Sequence, residues 1–565
     1  MRSDLNKVSV LLALSFGIIK QLVYMLKNKK SLIVWLALGL IGLATFILYY
    51  NQAFPTASLD IRVNKKEAIQ ISGDFIREQG FDLSGFDKSI LFFSDYYATS
   101  YLQKTQGLKK SNELIRKGLP VWFWRIRWFK ELEKEGFIVD VDPADSRVLN
   151  FDYFVLEDKP GAKISKKRAM NIAVEKIRFQ GVELSDYELK DTTIKKQKNR
   201  IDYHFVWEKK DYKIDEATLR LNVRIYGDKL GRYREFLKVP ETFGRYIEGE
   251  ISFGKTLKVA SLILVFIVGI IAIFILAIRK FLVKAHWKFW FICGCIVFLL
   301  KISDFFNSLP LVWSFYYDTI SKEVFFMASL GEYLTGALST GVMVFAYGLL
   351  GELFLLPSDK SLLFKILNNK TPYGVISTIV VSYSLSFICL GYLTLFYLLG
   401  GKIFNIWMPL KSEYSNVLGM SIPLLFPLTL ALIAAIYEEF TYRLFITSFL
   451  KKFARLSWLA ILIPALLWGL AHSFYLVFPI YVRCIELTIL GILFSIIFLK
   501  YGIEIVIVAH FLVNVILASM PFWQAHDTAF FIYGIAIAFF VLAPAVIIPI
   551  VSNIYKKKEV KGQNT

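Results

Sequence analysis

Long apolar segments separated by short polar ones run along most of the chain, and this pattern predicts a helical membrane protein. Crossing the hydrocarbon core of a bilayer takes about 20 helical residues. An early apolar stretch, 8–25, is broken by Lys20 and Gln21 and is predicted to lie in the membrane interface instead. About ten spans are predicted, at 31–50, 258–280, 287–301, 324–356, 372–399, 417–437, 457–475, 484–500, 503–520 and 528–552.

The polar block between the first two spans contains an internal repeat. The stretch KKEAIQISGDFIREQGFDLSGF, from Lys65, matches KKRAMNIAVEKIRFQGVELSDY, from Lys166. Apolar residues recur with helical spacing in both copies, and a glycine follows each as a helix stop. The later runs FIVDVDPADSRVLNF and LNVRIYGDKLGRYREF alternate apolar and polar residues around a turn, which predicts antiparallel hairpins.

These patterns together predict the fold class. We expect a mainly α membrane protein, a polytopic helical bundle of about ten spans, with an inserted α+β region of two helix-plus-antiparallel-sheet repeats. The repeat resembles the PepSY-like module of bacterial envelope proteins over most of residues 60–240. It contains no candidate nucleophile or metal cluster, and its single histidine, His204, is expected to be structural.

Composition and charge support the membrane assignment. The chain is 56% hydrophobic and 16% aromatic, with a mean hydropathy of +0.51, which excludes a soluble globular protein of this length. Its net charge of +20 arises from Lys and Arg at helix ends, as in KNKK, KKFAR and KKK, and this favours cytoplasmic loops over a nucleic-acid surface. Both termini are therefore predicted in the cytoplasm and residues 51–255 outside it. All four cysteines lie in the apolar part, which excludes a disulfide framework for the polar block.

Most ionisable residues of the apolar half have a structural interpretation. Glu486 follows Arg483 by three residues and Glu504 follows Lys500 by four, so both are predicted to form ion pairs near helix ends. A second group is also treated as structural: Glu332, Glu352, His286 and His526.

Three polar sites remain within the apolar spans, and each pairs residues four apart, on one helical face. They are Glu438-Glu439 with Arg443, Trp468 with His472, and His510 with Asn514.

These side chains suit hydrolysis of an amide bond by activated water. A buried carboxylate beside a second one can act as a base, and an imidazole can help orient the water. A second imidazole with an amide can stabilise a developing oxyanion. Two alternatives stay open: a polar network that only holds three helices together, and a zinc site, which the absence of a His-Glu-x-x-His motif disfavours.

The ordered motifs Glu-Glu-x-x-x-Arg, aromatic-x-x-x-His and His-x-x-x-Asn resemble the CPBP family of intramembrane glutamic endopeptidases. This family contains the type II CAAX prenyl endopeptidases and the bacteriocin-processing, Abi-type proteins. The resemblance covers about residues 370–550 and implies a site without metal or cofactor. It assigns water activation to Glu438 with Glu439 beside it, orientation of that pair to Arg443, sharing of the water to His472, and oxyanion stabilisation to His510 and Asn514. The family usually has Phe where this chain has Trp468, which is expected to pack rather than react.

The span pattern and the two resemblances together divide the chain into five segments. They are the N-terminal interfacial segment with the first span (1–50), the extracytoplasmic repeats (51–255), linking helices (256–369), the CPBP-like peptidase core (370–552) and a basic cytoplasmic tail (553–565). The predicted function is glutamate-dependent hydrolysis of a peptide bond in a membrane-associated peptide or protein, with the choice of base between Glu438 and Glu439 open. The alternative is a transporter, immunity or sensor protein that uses the same polar cluster to bind a ligand or pack helices.

The expected partners are the substrate, the lipid bilayer and an extracytoplasmic protein or peptide that binds the repeats, with no nucleic acid. The motif containing Glu438 is read as the end of an outside-to-inside span. The site is therefore expected to open towards the cytoplasmic leaflet, across the bilayer from residues 51–255.

Overall fold

The computed structural model describes residues 30–279, 285–355, 375–409, 416–453 and 456–562. The predicted interfacial segment 8–25 lies outside these residues. Within them, nine helices are long and apolar enough to cross a membrane, and a shorter apolar helix accompanies them. The chain is a polytopic helical membrane protein with an inserted α+β region, as the sequence predicted.

Both copies of the sequence repeat begin with a helix. After α1 (Lys30–Ala53) and a short 3-10 helix (Pro55–Ser58), α2 (Lys65–Glu78) opens the inserted region. Asn64 and Glu67 form a capping box at its start. Gly80 then takes a left-handed conformation (φ 81°), and Gly181 does the same (φ 71°) at the end of the second repeat helix. The predicted glycine stops are therefore confirmed.

The strands of both repeats form one eight-stranded antiparallel sheet. Its order is β1-β2-β3-β4-β8-β7-β6-β5, so each repeat supplies four adjacent strands, and β4 joins β8 with Asn150 opposite Arg234. Both predicted hairpins, β3-β4 and β7-β8, are present. The elements in chain order are β1 (Asp87–Ser94), α3 (Tyr96–Arg116), β2 (Trp122–Lys130), β3 (Glu133–Val141), β4 (Val148–Phe154), α4 (Lys166–Phe179), β5 (Tyr187–Lys196), β6 (Ile201–Ile214), β7 (Ala217–Tyr226) and β8 (Lys229–Lys238).

One helix of the inserted region was not predicted. The helix α3 lies between β1 and β2 in the first repeat only, and the backbone at Gly107 leaves the helical region (φ 73°, ψ 161°). That interruption divides its apolar positions into two short stretches, neither long enough to show a helical period. The predicted similarity of the repeats to the PepSY-like module stays a prediction.

The remaining helices build the membrane half. Every predicted span has a helix, although that for 457–475 is only 13 residues long. They are α5 (Glu241–Arg279), α6 (Trp287–Asn307), α7 (Leu309–Ser314), α8 (Lys322–Phe354), α9 (Val375–Ile403), α10 (Leu425–Glu438), a π-helical segment (Glu439–Thr447), α11 (Ser448–Phe453), α12 (Leu459–Ala471), α13 (Tyr481–Tyr501), α14 (Ile503–Gln524) and α15 (Thr528–Gly562).

The predicted end of the span 417–437 is wrong. The helix begins at Leu425 and continues through the π-helical segment and α11 to Phe453, so Glu438 lies in the middle of a continuous helical run. The run EEFTYR contains several polar residues, and such a run is typical of a helix end exposed to water. Glu439 and Arg443 are instead fully buried and pair with each other inside the bundle.

The inserted region contacts one end of the helical bundle directly. Lys65 Nζ donates to the carbonyl oxygen of Gly419 at 2.9 Å, just before α10 begins. The amide of Met408, after α9, donates to Gln103 Oε1 at 2.9 Å, and the amide of His526, after α14, donates to the carbonyl oxygen of Ile61 at 2.8 Å. We call this the sheet end of the bundle.

Candidate active site

The three predicted polar sites meet at one cavity inside the membrane half. Its volume is about 250 Å³, and Glu438, Trp468, His472, His510 and Asn514 all contribute to its wall. Glu438 ends α10, His472 directly follows α12, and the last two residues lie one turn apart on α14. The helical spacing read from the sequence therefore does bring these side chains together.

Glu438 is the carboxylate at the centre of this group. Its Oε2 accepts a hydrogen bond from the indole Nε1 of Trp468 at 2.6 Å. Its Oε1 lies 3.5 Å from His472 Nε2, and Oε2 lies 3.9 Å from His510 Nε2. One carboxylate thus faces two imidazoles across the cavity.

The backbone fixes the orientation of His472. The carbonyl oxygen of Trp468 lies 2.8 Å from His472 Nδ1. A carbonyl can only accept, so Nδ1 carries a proton and donates it there. In the neutral imidazole, Nε2 is then an acceptor, and this is the nitrogen that faces Glu438.

Glu439 lies behind the cavity wall rather than in it. It is fully buried, and its Oε1 accepts from Arg443 Nη1 at 3.1 Å and from His510 Nδ1 at 2.8 Å. Successive residues of a helix point about 100° apart, so neighbouring glutamates reach different surroundings. Glu438 faces the cavity and Glu439 holds His510 from the far side.

The Arg443 guanidinium is enclosed by aromatic rings. Its Cζ lies 4.1 Å from the ring centroid of Trp468 and 5.3 Å from that of Phe494, which gives a fully buried cation favourable contacts. The surrounding backbone is π-helical, a conformation often found at functional sites.

A second polar cluster in the same cavity wall was not recognised as part of the site. Arg483 and Glu486 form the predicted ion pair, with Nη1 and Oε1 2.6 Å apart, but both residues line the cavity with Tyr397 and Tyr475. The usable signal in the sequence was a pair of charges within an apolar span, which on its own also fits a helix-end ion pair.

The cavity runs towards the sheet end of the bundle, and the expectation that the site lies across the bundle from residues 51–255 is wrong. The helix α9 lines it with Cys389, at the middle of the helix, and with Tyr397, in the half nearer the sheet end, and α10 lines it with Leu430 and Ala434. Residues of the connection into the inserted region complete the wall, namely Pro55, Thr56 and Leu59. The error follows from the misplaced helix end, because a motif in the middle of a helix can open towards either side.

No group of three or more His, Cys, Asp or Glu side chains is arranged to hold a metal ion within the described ranges.

Comparisons with known proteins found one family match and one similar protein. Residues 420–516 match the family model described as type II CAAX prenyl endopeptidase Rce1-like, and this segment contains all seven predicted site residues. The sporulation-killing factor biosynthesis protein SkfC of Bacillus subtilis (strain 168) is 25% identical to the chain over 516 residues, which cover 88% of this chain and 96% of SkfC. No solved structure matches the chain. The chain is thus a multi-pass membrane protein whose residues 420–516 match the Rce1-like family model, and it is similar to SkfC over most of its length.

Proposed function

We propose that this protein is an intramembrane glutamic endopeptidase that hydrolyses a peptide bond of a membrane-associated peptide or protein with activated water. One observation carries the proposal: Glu438 Oε1 and His472 Nε2 lie 3.5 Å apart at the cavity wall. A carboxylate oxygen and an imidazole nitrogen whose partner nitrogen already donates are both acceptors. A water molecule has two O–H donors and satisfies both of them.

The reaction follows from these positions. Glu438 takes a proton from the water as its oxygen forms a bond to the carbonyl carbon of the substrate. Negative charge develops on the carbonyl oxygen, where His510 Nε2 and the Asn514 amide act as donors. Glu438 then passes the proton to the amide nitrogen, and the C–N bond breaks. Glu438, rather than Glu439, is the base in this mechanism because only Glu438 lines the cavity.

Charge balance supports His510 as a donor. A histidine whose Nδ1 donates to Glu439 can also donate from Nε2 only as an imidazolium. Uncompensated charge is costly in a buried site. Two carboxylates, Glu438 and Glu439, are balanced by the Arg443 guanidinium and one imidazolium, so a protonated His510 leaves the cluster neutral.

The substrate class follows from the similarity to SkfC, which is named for the biosynthesis of a sporulation-killing factor. A peptide precursor that associates with the membrane is the substrate we propose, acted on without metal or cofactor. We further propose that the sheet region has an extracytoplasmic location, with both termini in the cytoplasm, from the basic residues at helix ends.

The mechanism is tested by comparing membrane peptides from cells that carry the wild type or Glu438→Gln, and then assaying the purified protein on a peptide that differs. We expect Glu438→Gln, His472→Ala and His510→Ala each to lower turnover by about a hundredfold or more, because each removes a base or an oxyanion donor. Glu332→Gln, in the exposed part of α8, is the matched control and should keep wild-type turnover.

Two outcomes would contradict this proposal. If no peptide differs between the two strains, the polar cluster serves ligand binding or helix packing, as in a transporter, immunity or sensor protein. If a chelator abolishes turnover and zinc restores it, the site is a metallopeptidase.

The proposed topology is tested by labelling. Ser185, which is exposed in the second repeat, is changed to Cys in a chain whose four native cysteines are replaced by Ala. A membrane-impermeant maleimide should label intact cells carrying Ser185→Cys. Labelling that occurs only after the cells are opened would show that the sheet region lies on the cytoplasmic side.

A further inference from the structure

The two repeats of the inserted region differ in charge. Residues 60–158 contain 15 Lys and Arg against 17 Asp and Glu, whereas residues 159–238 contain 21 against 12, so the second repeat is the basic one. Part of this positive charge lines a cavity of about 390 Å³ where the repeats meet, at the end of β4 and beside β5, β6 and β7. We call it the junction cavity. It belongs to the sheet region and has no role in the proposed hydrolysis.

Ion pairing leaves two cations of the junction cavity without a carboxylate. Its wall contains four cationic side chains and two carboxylates, namely Lys134, Lys195, Arg200, Arg224, Glu157 and Asp202. Lys195 Nζ lies 2.8 Å from Glu157 Oε1, and Arg200 Nε lies 2.9 Å from Asp202 Oδ1. Among the described residues, the side chains of Lys134 and Arg224 form no ion pair and no hydrogen bond. The cavity therefore presents two unpaired positive charges.

Arg224 occupies an unfavourable position in the sheet unless an anion binds there. Its partners on the neighbouring strands are His204 on β6 and Arg232 on β8. Like charges directly opposite each other on antiparallel strands destabilise a sheet. Arg232 is compensated by an ion pair with Asp152 on β4, but Arg224 has no such partner. A carboxylate from a ligand would supply it.

The state of His204 shows the same excess of positive charge. Burial and the nearby Arg224 guanidinium lower the pKa of His204 below its usual value of 6.5. The imidazole is therefore neutral at pH 7. Its Nε2 donates to Asn222 Oδ1 at 2.8 Å, since an amide oxygen only accepts. His204 thus adjusts to the charge of Arg224 and does not compensate for it.

We propose that the junction cavity binds an acidic peptide segment, with one carboxylate on Arg224 and a second on Lys134. These residues lie three strands apart in the sheet order and four residues apart in register, about 14 Å across and 13 Å along the strands. Two carboxylates on one peptide match this separation better than a single phosphate does. Phe154, Val155 and Tyr226 also line the cavity and can receive the apolar parts of the segment. The site goes beyond the proposed hydrolysis and does not depend on it.

Binding of a synthetic peptide to the full-length protein tests the junction cavity. The probe is a dansyl-labelled, C-terminally amidated peptide of seven residues with Glu at its second and sixth positions and Ala elsewhere. The control peptide has Gln at both positions. The parent protein carries Glu438→Gln, so that cleavage cannot interfere, and is reconstituted in phosphatidylcholine nanodiscs. We expect the Glu peptide to bind about tenfold more tightly than the Gln peptide, because the charge-assisted hydrogen bonds are lost with Gln.

Arg224→Gln assigns this difference to the cavity. The change leaves no carboxylate unpaired and removes the like charge opposite Arg232, so the unfolding temperature should equal or exceed that of the parent. The ratio of the two affinities should fall at least threefold, and to about one when Lys134→Gln is added. Arg178→Gln removes the same charge from the exposed side of α4, in the same repeat, and should keep the full ratio.

Several outcomes would overturn the proposal. One is equal affinity of the parent for the Glu and Gln peptides. Another is an equal fall of the ratio in Arg178→Gln, which would show only a general attraction of acidic peptides to a basic region. Binding of inorganic phosphate as tight as that of the Glu peptide would assign the cavity to phosphate instead.

A second variant covers the case in which Arg224→Gln lowers the unfolding temperature. Lys134→Gln changes an exposed residue and should lower the ratio by itself, whereas a ratio unchanged from the parent would overturn the proposal. All these measurements are made without hydrolysis. They can therefore fail while Glu438→Gln abolishes cleavage, and they can succeed in a protein that cleaves nothing.

Discussion

Trp468 connects the charged groups of the candidate site. Its indole N–H donates to Glu438, its carbonyl oxygen accepts from His472 Nδ1, and its ring covers the Arg443 guanidinium. A phenylalanine at this position would keep an aromatic ring and the backbone carbonyl that contacts His472, but it would lack the N–H group that donates to Glu438. The expectation that this residue packs rather than reacts did not include this hydrogen bond, because a helical period shows which face a side chain occupies and not which atom it presents.

Trp468→Phe therefore isolates a single hydrogen bond. Loss of a hydrogen bond to a charged group costs about 1.5–3 kcal/mol, so we expect kcat to fall by about tenfold or more, with KM nearly unchanged. Trp523→Phe, on α14 outside the cavity wall, is the control and should leave kcat unchanged. A wild-type kcat for Trp468→Phe would show that the indole N–H does not position Glu438 for catalysis.

The sequence predicted which residues form the candidate site, but it did not show which role each of them has. Spacing of four placed Glu439 with Arg443 and His510 with Asn514 on common faces, and both pairs reach the cluster. The choice between Glu438 and Glu439 depends on which one faces a cavity, and Arg483 joins the cavity through the approach of α13 to α9. Both features depend on how helices that are distant in sequence pack together. The periodicity of a single helix gives no information on that packing.

At the scale of elements, close packing of α12 against α13 sets the positions of Trp468 and His472. A Cβ added at Gly491, on α13, would lie 2.8 Å from Ala465 Cβ and 3.2 Å from Trp468 Cε3. A Cβ at Gly469, on α12, would lie 2.5 Å from the carbonyl oxygen of Cys484. Small residues let these helices approach closely, as is common between membrane helices.

Gly491→Ala is expected to displace α12 and with it Trp468 and His472. Overpacking of this kind costs about 1–3 kcal/mol and moves the backbone, so we expect a loss of activity together with a lower unfolding temperature. Gly336→Ala, on the exposed side of α8 where an added Cβ meets nothing within 4 Å, is the control and should change neither. Full activity in Gly491→Ala would mean that α13 adapts without moving the site.

The elements themselves were largely predictable, and the failures have physical causes. Long apolar runs predicted the membrane helices, and the alternating runs predicted one hairpin in each repeat. The helix α3 was missed because Gly107 interrupts its period, and the end of α10 was misplaced because buried ion pairs such as Glu439 with Arg443 look like a water-exposed terminus in sequence. Pairing of opposite charges inside the bundle lowers the free-energy cost of burying them, so the membrane helix can continue through the charged residues.

At the scale of the whole molecule, a short stretch that we call the entrance segment (55–59) attaches the inserted region to the cavity. Pro55, Thr56 and Leu59 line the cavity. On the other side, Trp122 Nε1 donates to Ser58 Oγ at 3.1 Å, and Arg116 donates to the carbonyl oxygen of Ala57. The sheet region therefore holds part of the cavity wall, and a ligand that moves the sheet would move the entrance to the site.

Trp122→Phe tests this attachment with a closely matched control on the same strand. Trp122 and Trp128 both belong to β2, both are buried, and each donates its indole N–H to a serine, but Trp128 bonds to Ser72 (2.8 Å), within the inserted region. Loss of either bond costs about 0.5–1.5 kcal/mol of stability. Only Trp122→Phe removes a hydrogen bond to the entrance segment, so we expect it to raise KM about threefold to tenfold with little change in kcat, while Trp128→Phe leaves both constants at their wild-type values. Equal kinetic effects of the two changes would mean that the sheet region acts on the site only through general stability. An unchanged KM in Trp122→Phe would mean that the hydrogen bond from Trp122 to Ser58 does not hold the entrance segment in place.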